Sequence, residues 1–215
     1  MDIEQFKQLP VMGILRGIEI DMIESLVETI VSAGLETIEI AMNTPGASEL
    51  ISRIAKKSDK RLTIGAGTVL TMDDLHSALD AGATFIVLPT IVHNVVNYCI
   101  KKAIPVFPGA FTPQEIYDAW NEGATMVKVF PAKFFGPAYL KEIKGPFQDV
   151  ELLACGGITP KNIHSFFLSG ASAVAFGGSI FRKEWLNLKH LFQIEESIRT
   201  LITKFKQYPK SHLSP

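Results

Sequence analysis

A repeated arrangement of helix, glycine and strand constrains the fold of this chain more than any other sequence feature. Four times, a helix-like segment ends at a glycine and an apolar strand-like segment follows within a few residues. Each glycine occupies the position after a helix C-cap, where the backbone needs a positive φ angle. The glycines lie about 40 to 50 residues apart, which leaves room for two strand–helix units in each interval. The four glycines are Gly34, Gly82, Gly123 and Gly170.

Eight apolar segments result when the strands between the repeats are added. Strands that alternate with helices predict βαβ units and a parallel sheet. Eight such units predict one compact α/β domain over residues 1–215, a (β/α)₈ TIM barrel with short loops. A doubly wound open sheet is the alternative, although it usually has fewer strands. The predicted strands cover residues 11–15, 37–40, 62–66, 85–88, 105–109, 126–129, 150–154 and 173–176.

Helix boundaries are marked in several places. Thr71, Thr112 and Thr159 each precede a helix-like segment, and Thr112 and Thr159 are followed by proline, so all three are predicted N-caps. The last helix is predicted over residues 188–206, and residues 209–215 are predicted to be a frayed tail.

The overall composition excludes several classes of protein. The formal net charge is −1, which gives no basic surface for nucleic acid or for an anionic membrane. Cys99 and Cys155 form neither a disulfide framework nor a CxxC metal pair. The first residues do not resemble a signal peptide, and no apolar run reaches the roughly 18 residues that span a membrane. We therefore expect a soluble, cytoplasmic protein without nucleic-acid or membrane partners.

A single lysine, Lys128, interrupts the apolar β-branched segment 124–132. Lysine is almost never fully buried unless it is paired or has a chemical function, and burial favours the neutral form of an amine. A neutral amine in a dry pocket is a nucleophile that forms a Schiff base with a carbonyl group. The alternative is a lysine whose apolar stem crosses the barrel wall while its ammonium group reaches water.

Glu39 is a second ionisable residue inside an apolar strand, between Ile38 and Ile40. Packing alone does not favour a carboxylate there, although it could simply pair with a lysine. If Glu39 and Lys128 both point into the barrel, a carboxyl group with a raised pKa could transfer protons near neutral pH. Imine chemistry needs such a group, because dehydration of the carbinolamine and formation of the enamine both require proton transfers.

Glycines follow the last two predicted strands, where barrels of this kind often bind phosphate. Gly156 and Gly157 follow the seventh strand, and Gly177, Gly178 and Ser179 follow the eighth. Glycine lets backbone N–H groups approach an oxyanion, and residues 179–182 are predicted to open a short helix that adds positive charge. Tight turns also use glycine, so either pair alone is weak evidence.

Arg16 and Thr68 come at the ends of the first and third strands. A guanidinium group there could hold a carboxylate or phosphate, and the hydroxyl group could donate a further hydrogen bond. The alternative for Arg16 is an ordinary surface arginine in a loop. The five histidines do not cluster with other ligand types at metal-binding spacing, so we predict no metal site.

Taken together, the motifs resemble the class I 2-keto-3-deoxy-6-phosphogluconate and 4-hydroxy-2-oxoglutarate aldolases, over nearly the whole chain. The resemblance implies that Lys128 forms the imine and Glu39 is the general acid/base. It also implies that the glycines and Ser179 bind phosphate, that no cofactor is needed and that the protein is a homotrimer. The motifs are 14–17, Glu39, 65–70, 128–132, 156–158 and 177–179.

This sequence departs from the family pattern at two positions. Asn43 stands where the phosphogluconate enzymes have a carboxylate-binding arginine, and Arg16 could supply the guanidinium instead. Cys155 replaces a threonine before Gly156. We assign Arg16, Thr68, Asn43 and Phe130 to the pyruvyl end of the substrate. Some motifs are similar to the phosphogalactonate branch and others to the phosphogluconate branch, so both C4 epimers stay open as substrates.

The predicted reaction is cleavage of a 2-keto-3-deoxy-6-phospho sugar acid to pyruvate and glyceraldehyde 3-phosphate. Cleavage of 4-hydroxy-2-oxoglutarate to pyruvate and glyoxylate is a second expected activity. Two alternatives stay open: a phosphate-binding barrel with another chemistry, of the isomerase or thiamine-phosphate type, and a non-catalytic barrel that binds a sugar phosphate. The first leaves Lys128 and Glu39 without a function.

Overall fold

The computed structural model describes residues 1–57 and 61–207, and its centre is a ring of parallel strands. Most strands are short and fully buried, as expected when a sheet is covered on both faces. In chain order the strands are β1 (Val11–Leu15), β2 (Thr37–Ala41), β3 (Thr63–Gly67), β4 (Ile86–Val87), β5 (Val106–Phe107), β6 (Gly109–Ala110), β7 (Val127–Val129), β8 (Leu152–Cys155) and β9 (Ala173–Phe176).

Helices connect the strands and cover the outside of the ring. Short 3₁₀ helices are also present at Ile20–Met22, Lys183–Trp185 and Leu188–His190. The α-helices are α1 (Ile3–Gln8), α2 (Ile23–Ser32), α3 (Ala47–Lys57), α4 (Met72–Asp80), α5 (His93–Lys101), α6 (Pro113–Asn121), α7 (Gly136–Lys144), α8 (Ile163–Leu168) and α9 (Leu191–Lys206). None of the helices in the described part of the chain is long and apolar enough to cross a membrane.

The nine strands form eight barrel strands, because β5 and β6 are two halves of one barrel strand. The hydrogen-bonded order is β5-β4-β3-β2-β1-β9-β8-β7-β6. Only Pro108 separates β5 from β6, and proline has no N–H group to donate to a ladder. The two ends of the sheet are therefore joined through one residue. This closure confirms the predicted TIM barrel.

The predicted strands overlap all eight observed members of the ring, and the four repeat glycines have φ angles of 84° to 105°. Thr71 and Thr112 cap α4 and α6 through capping boxes in which the threonine hydroxyl accepts from the N3 backbone N–H group. These predictions are confirmed.

Two boundary predictions are wrong. α8 begins at Ile163, after a turn, and its N-cap residue is Asn162 instead of Thr159. The Asn162 side chain accepts a hydrogen bond from the Thr159 N–H group, so Thr159 lies one turn before the helix. The last helix starts at Leu191, because residues 188–190 form a 3₁₀ helix. The predicted frayed tail, 209–215, lies outside the described residues, so the single domain over 1–215 stays a prediction.

Helix α1 closes the lower end of the barrel, at the N-terminal ends of the strands. Its buried residue Phe6 contacts Phe107 edge-on at 6.3 Å, and Phe107 contacts Phe85 in the same way at 5.9 Å. Inward-facing Met12, Met126 and other strand residues complete this apolar cluster. The lower half of the barrel is thus filled with side chains, which leaves the C-terminal ends of the strands for a cavity.

We predict that Phe6→Ala lowers the free energy of unfolding by about 3 kcal/mol, because the ring is 4% exposed and its removal leaves a cavity under the barrel. Phe192→Ala is the matched control: its ring is 67% exposed, and we expect a change below about 0.5 kcal/mol. Urea unfolding of both variants checks this. Equal losses in the two variants would contradict the role of α1 as a plug.

Candidate active site

A cavity of about 580 Å³ opens at the C-terminal ends of the strands, where barrels of this type bind their ligands. Seven of the eight barrel strands, or the loops that follow them, contribute to its wall. The lining residues are Ile14, Arg16, Gly17, Glu39, Thr68, Pro89, Lys128, Phe130, Cys155, Gly156, Gly157, Gly177, Gly178, Ser179, Phe181, Lys183 and Leu186.

Glu39 and Lys128 lie on opposite sides of this cavity, both pointing into the barrel. Three barrel strands separate β2 from β7 in either direction around the ring. Met126, two residues before Lys128, belongs to the inner apolar cluster, and side chains along a strand alternate between faces. Glu39 is 1% exposed and Lys128 is 5% exposed. Within the described residues no hydrogen bond or ion pair joins them, so a small molecule has room between the two groups.

Burial raises the pKa of Glu39 above the usual value for a glutamate, although the positive charges of Lys128 and Arg16 partly oppose that shift. Its Oε2 atom has no hydrogen-bond partner in the described part of the protein. Gly67 on the neighbouring strand makes room for the carboxyl group, since a Cβ atom there would lie 2.4 Å from Glu39 Oε1. A buried carboxyl group with an unused acceptor is suited to exchanging protons with a ligand.

The Lys128 amine has an aromatic neighbour and, among the described residues, no acidic partner in contact. Its Nζ atom lies 5.2 Å from the centre of the Phe130 ring. Phe130 is 38% exposed and lines the same cavity as the buried amine. An amine in this position can approach a carbonyl carbon that enters from the mouth.

The structure brings Arg16 and Thr68 together at the wall of the cavity. The Arg16 Nη2 group donates a 3.0 Å hydrogen bond to Thr68 Oγ1. Thr68 has a φ of 57°, a strained conformation for a β-branched residue and one that is concentrated at functional sites. The backbone N–H group of Gly17, the residue after Arg16, donates to Thr44 Oγ1 and so anchors the loop after β1. Asn43 is exposed and does not line the cavity, so the structure does not bring it to this group.

The opposite part of the cavity is made of glycine-rich backbone after β8 and β9. Gly156 and Gly157 have φ angles of 103° and 78°, which only glycine adopts readily. The Ser179 hydroxyl group donates to the Ile158 carbonyl group at 2.6 Å, which ties the two loops together. Within the described residues, the N–H groups of Gly157, Gly178 and Ser179 donate to no other protein group. Such N–H groups bind anions.

Residues 179–182 were predicted to open a short helix, and the structure has only a 3₁₀ helix there, which begins at Lys183. Residues 177–181 form a turn in which the Phe181 N–H donates to the Gly177 carbonyl group, and a three-residue 3₁₀ helix follows at Lys183–Trp185. The dipole of an α-helix therefore does not contribute at this end of the cavity.

Several lining residues were not predicted as site residues. Ile14, Pro89, Phe181 and Leu186 are apolar, and nothing in the local sequence distinguishes them from core residues. Lys183 could have been suspected, because it is a cation just after the glycine–serine segment. Cys155, which stands where the family has a threonine, is 2% exposed, yet it borders the cavity, and burial raises the pKa of its thiol to about 11.

Metal ligands were not predicted, and in residues 1–57 and 61–207 no group of three His, Cys, Asp or Glu side chains is arranged to hold a metal ion. That the protein needs no metal and no cofactor stays a prediction.

Comparison with known proteins gives a family match over residues 3–197, with the family described as KDPG and KHG aldolase. A 2-dehydro-3-deoxy-6-phosphogalactonate aldolase of Escherichia coli K12 is 32% identical over 176 residues, which cover 81% of this chain and 86% of the relative. A 2-dehydro-3-deoxy-phosphogluconate aldolase of Pseudomonas aeruginosa is 30% identical over 202 residues, 93% of this chain and 90% of that one.

A solved structure of a KDPG aldolase from Legionella pneumophila is also similar. It superimposes with a TM-score of 0.82 at 28% identity and covers 89% of this chain and 93% of its own. That crystal structure holds pyruvate as a covalent carbinolamine intermediate, captured at low pH.

We predict that Glu39→Gln becomes more stable, relative to the unchanged protein, as the pH rises. Because the pKa of Glu39 is raised in the folded state, folding is favoured most below the unfolded value of 4.5, and this contribution is lost as pH rises through the folded pKa. Glutamine carries no such titration. Urea unfolding between about pH 4 and pH 8 measures the trend.

Glu142→Gln, on the exposed face of α7, is the matched control, and we expect its stability difference to stay flat over the same pH range. A difference for Glu39→Gln that is equally flat, or that falls as pH rises, would contradict a buried carboxyl group with a raised pKa.

Proposed function

Because the chain belongs to the KDPG and KHG aldolase family, we propose that it cleaves a 2-keto-3-deoxy-6-phospho sugar acid to pyruvate and glyceraldehyde 3-phosphate. The protein is a class I aldolase, an enzyme that works through a Schiff base. The observation that carries the residue assignments is the position of Lys128 and Glu39, buried opposite each other at the head of the barrel.

In this proposal, the Lys128 amine attacks the C2 carbonyl carbon of the substrate. The carbinolamine loses water and becomes an iminium ion, which draws the electron pair of the breaking C3–C4 bond into an enamine. Glu39, through a water molecule, takes the proton of the C4 hydroxyl group, so that C4 leaves as the aldehyde carbon. The enamine then gains a proton at C3 with the help of Glu39, and hydrolysis releases pyruvate and the free amine. The raised pKa of Glu39 supports both proton transfers.

At the pyruvyl end, Arg16 and Thr68 hold the substrate carboxylate. Their mutual hydrogen bond places a guanidinium group and a hydroxyl group on the wall formed by β1 and β3, beside Glu39. A guanidinium group can bind a carboxylate through two parallel hydrogen bonds. Phe130 packs beside Lys128 and excludes water from the amine. The position of Asn43 outside the cavity favours Arg16 for this function.

At the other end, the free N–H groups of Gly157, Gly178 and Ser179 bind the phosphate group. Binding energy at this remote group positions the C3–C4 bond between Lys128 and Glu39.

Relatives named for the phosphogluconate and phosphogalactonate substrates match this chain at nearly equal identity, and we propose a substrate from one of these two series. In the gluconate series the reaction is the cleavage step of the Entner–Doudoroff route. We also propose that the protein cleaves 4-hydroxy-2-oxoglutarate, a substrate type named in the family description.

We propose a homotrimer as the assembled state. Phe134 and Phe135 are 70% and 59% exposed, and apolar side chains so exposed are often covered by another subunit. We also propose a cytoplasmic location, because a sugar acid phosphate, which carries both a carboxylate and a phosphate group, does not cross a lipid bilayer unaided.

We predict that borohydride reduction in the presence of pyruvate adds a pyruvyl group to the peptide that contains Lys128. Lys128→Met should give no adduct and should lower turnover at least about a thousandfold, because the nucleophile is lost. Mass spectrometry of the digested protein locates the adduct. Lys133→Met is the control, since Lys133 is near in sequence and does not line the cavity. An adduct that persists in Lys128→Met would overturn the mechanism.

We predict that Arg16→Ala raises the pyruvate concentration for half-maximal trapping about tenfold or more, because the carboxylate loses a charged partner. Asn43→Ala should change that concentration less than about twofold, since Asn43 lies outside the cavity. Titration of the borohydride adduct with pyruvate measures both variants. A larger effect of Asn43→Ala than of Arg16→Ala would contradict the proposal that Arg16 binds the substrate carboxylate.

A further inference from the structure

Four charged side chains line the cavity: Arg16, Glu39, Lys128 and Lys183. In the proposed reaction the first three all act at the pyruvyl end of the substrate. Among the described residues, only Lys183 then provides a lining charge for the end that carries the phosphate group. The backbone N–H groups there are neutral donors, whereas a phosphate monoester carries nearly two negative charges at neutral pH.

The segment that carries Lys183 is anchored on both sides. Ile180 and Phe181 are 1% and 5% exposed, and the Phe181 N–H group donates to the Gly177 carbonyl group at 2.9 Å. After Lys183, the Leu186 N–H group donates to the Arg182 carbonyl group at 3.2 Å, and Leu186 again lines the cavity. The backbone of Lys183 is therefore held at the cavity wall, next to the turn that contains Gly178 and Ser179.

The neighbouring arginine is engaged elsewhere. The Arg182 guanidinium group lies over the Trp185 ring at 4.4 Å, and Arg182 does not line the cavity. Lys183, by contrast, makes no ion pair or side-chain hydrogen bond with any of the described residues. Lys183 is exposed and lines the cavity, so its side chain is available to a ligand.

We propose that Lys183 determines the preference of this enzyme for phosphorylated substrates, by binding the substrate phosphate together with the N–H groups of Gly178 and Ser179. This inference rests on the proposed function for the identity of the substrate. A lysine acts as a point charge toward phosphate, without the fixed geometry of arginine, so it strengthens binding without aligning the reacting bond. Its loss should therefore raise KM and leave kcat nearly unchanged.

The first experiment measures binding without catalysis. Calorimetry with glycerol 3-phosphate as the probe should show that Lys183→Gln weakens binding about five- to tenfold, and that Lys183→Arg restores most of it. The difference should shrink as salt is added, because the Debye length is about 10 Å at 0.1 M ionic strength and shorter above it. Lys189→Gln is the matched control, since Lys189 is an exposed cation in the next 3₁₀ helix and does not line the cavity.

The second experiment compares the phosphorylated substrate with the same 2-keto-3-deoxy sugar acid lacking phosphate. Lys183→Gln should raise KM for the phosphorylated substrate about five- to tenfold with kcat within about twofold, and should leave the unphosphorylated substrate unaffected. Equal effects on the two substrates, equal effects of Lys189→Gln, or unchanged binding of glycerol 3-phosphate by Lys183→Gln would each overturn the inference.

The two proposals fail separately. Trapping of pyruvate on Lys128 does not involve the phosphate end, so a protein that is trapped by pyruvate but does not bind glycerol 3-phosphate refutes only the inference on Lys183. A protein in which Lys183→Gln weakens glycerol 3-phosphate binding but pyruvate is never trapped keeps this phosphate contact and refutes the aldolase chemistry.

Discussion

Two ionisable side chains, Glu39 and Lys128, are placed inside an apolar barrel without touching each other, and most features of the upper barrel follow from that constraint. Desolvation penalises each charge, and the attraction of Lys128 and Arg16 compensates only part of the penalty at Glu39. A direct ion pair would lower the penalty further, but it would fill the space that a substrate needs. The structure keeps both groups buried and separate. This arrangement lowers the stability of the fold, and such a loss of stability is common where a site must react with a ligand.

The surroundings of Glu39 and Lys128 are adapted to this separation. Gly67 leaves the volume that the Glu39 carboxyl group occupies, and the centre of the Phe130 ring lies 5.2 Å from the Lys128 amine. Below them, Phe6 and the other inward-facing apolar residues fill the barrel, so the charged layer has solvent access only from the top. The interior of the barrel is therefore apolar core at the N-terminal ends of the strands and candidate active site at their C-terminal ends.

Charge is distributed along the cavity in a way that suits a substrate with an anion at each end. In the proposed reaction, Arg16, hydrogen-bonded to Thr68, binds the anion at one end, and the unused backbone N–H groups with Lys183 bind the anion at the other. The buried amine lies between them. In that proposal the cavity orients the substrate before any bond is broken, because both of its anionic ends are held.

Much of the fold could be predicted from the sequence because its determinants are local. A glycine at a helix C′ position, a threonine with an acidic residue three positions later, and an apolar β-branched run each act within one or two turns of chain, and the structure has them at Gly82, Thr71 and β7. Lys128 and Glu39 stood out for the same reason, as single charges within apolar strands. Alternation along a strand then put them on a definite face. The N-cap at Thr159 was wrong because residues 160–162 form a turn before the helix begins at Ile163.

Only the closed tertiary structure decided which distant residues share the cavity. Asn43 follows Glu39 closely in sequence but turns away with its loop, whereas Arg16 and Thr68, 52 residues apart, meet because β1, β2 and β3 are neighbours in the ring. Lys183 lines the cavity because the buried side chains of Ile180 and Phe181, and the hydrogen bond from Ser179 to Ile158, hold the segment after β9 against the barrel. The strands, the helices and the two charged side chains inside apolar strands follow from the sequence, since short-range backbone preferences and alternation specify them. The cavity and its lining depended on ring closure, which joins strands far apart in the chain and has no local sequence equivalent.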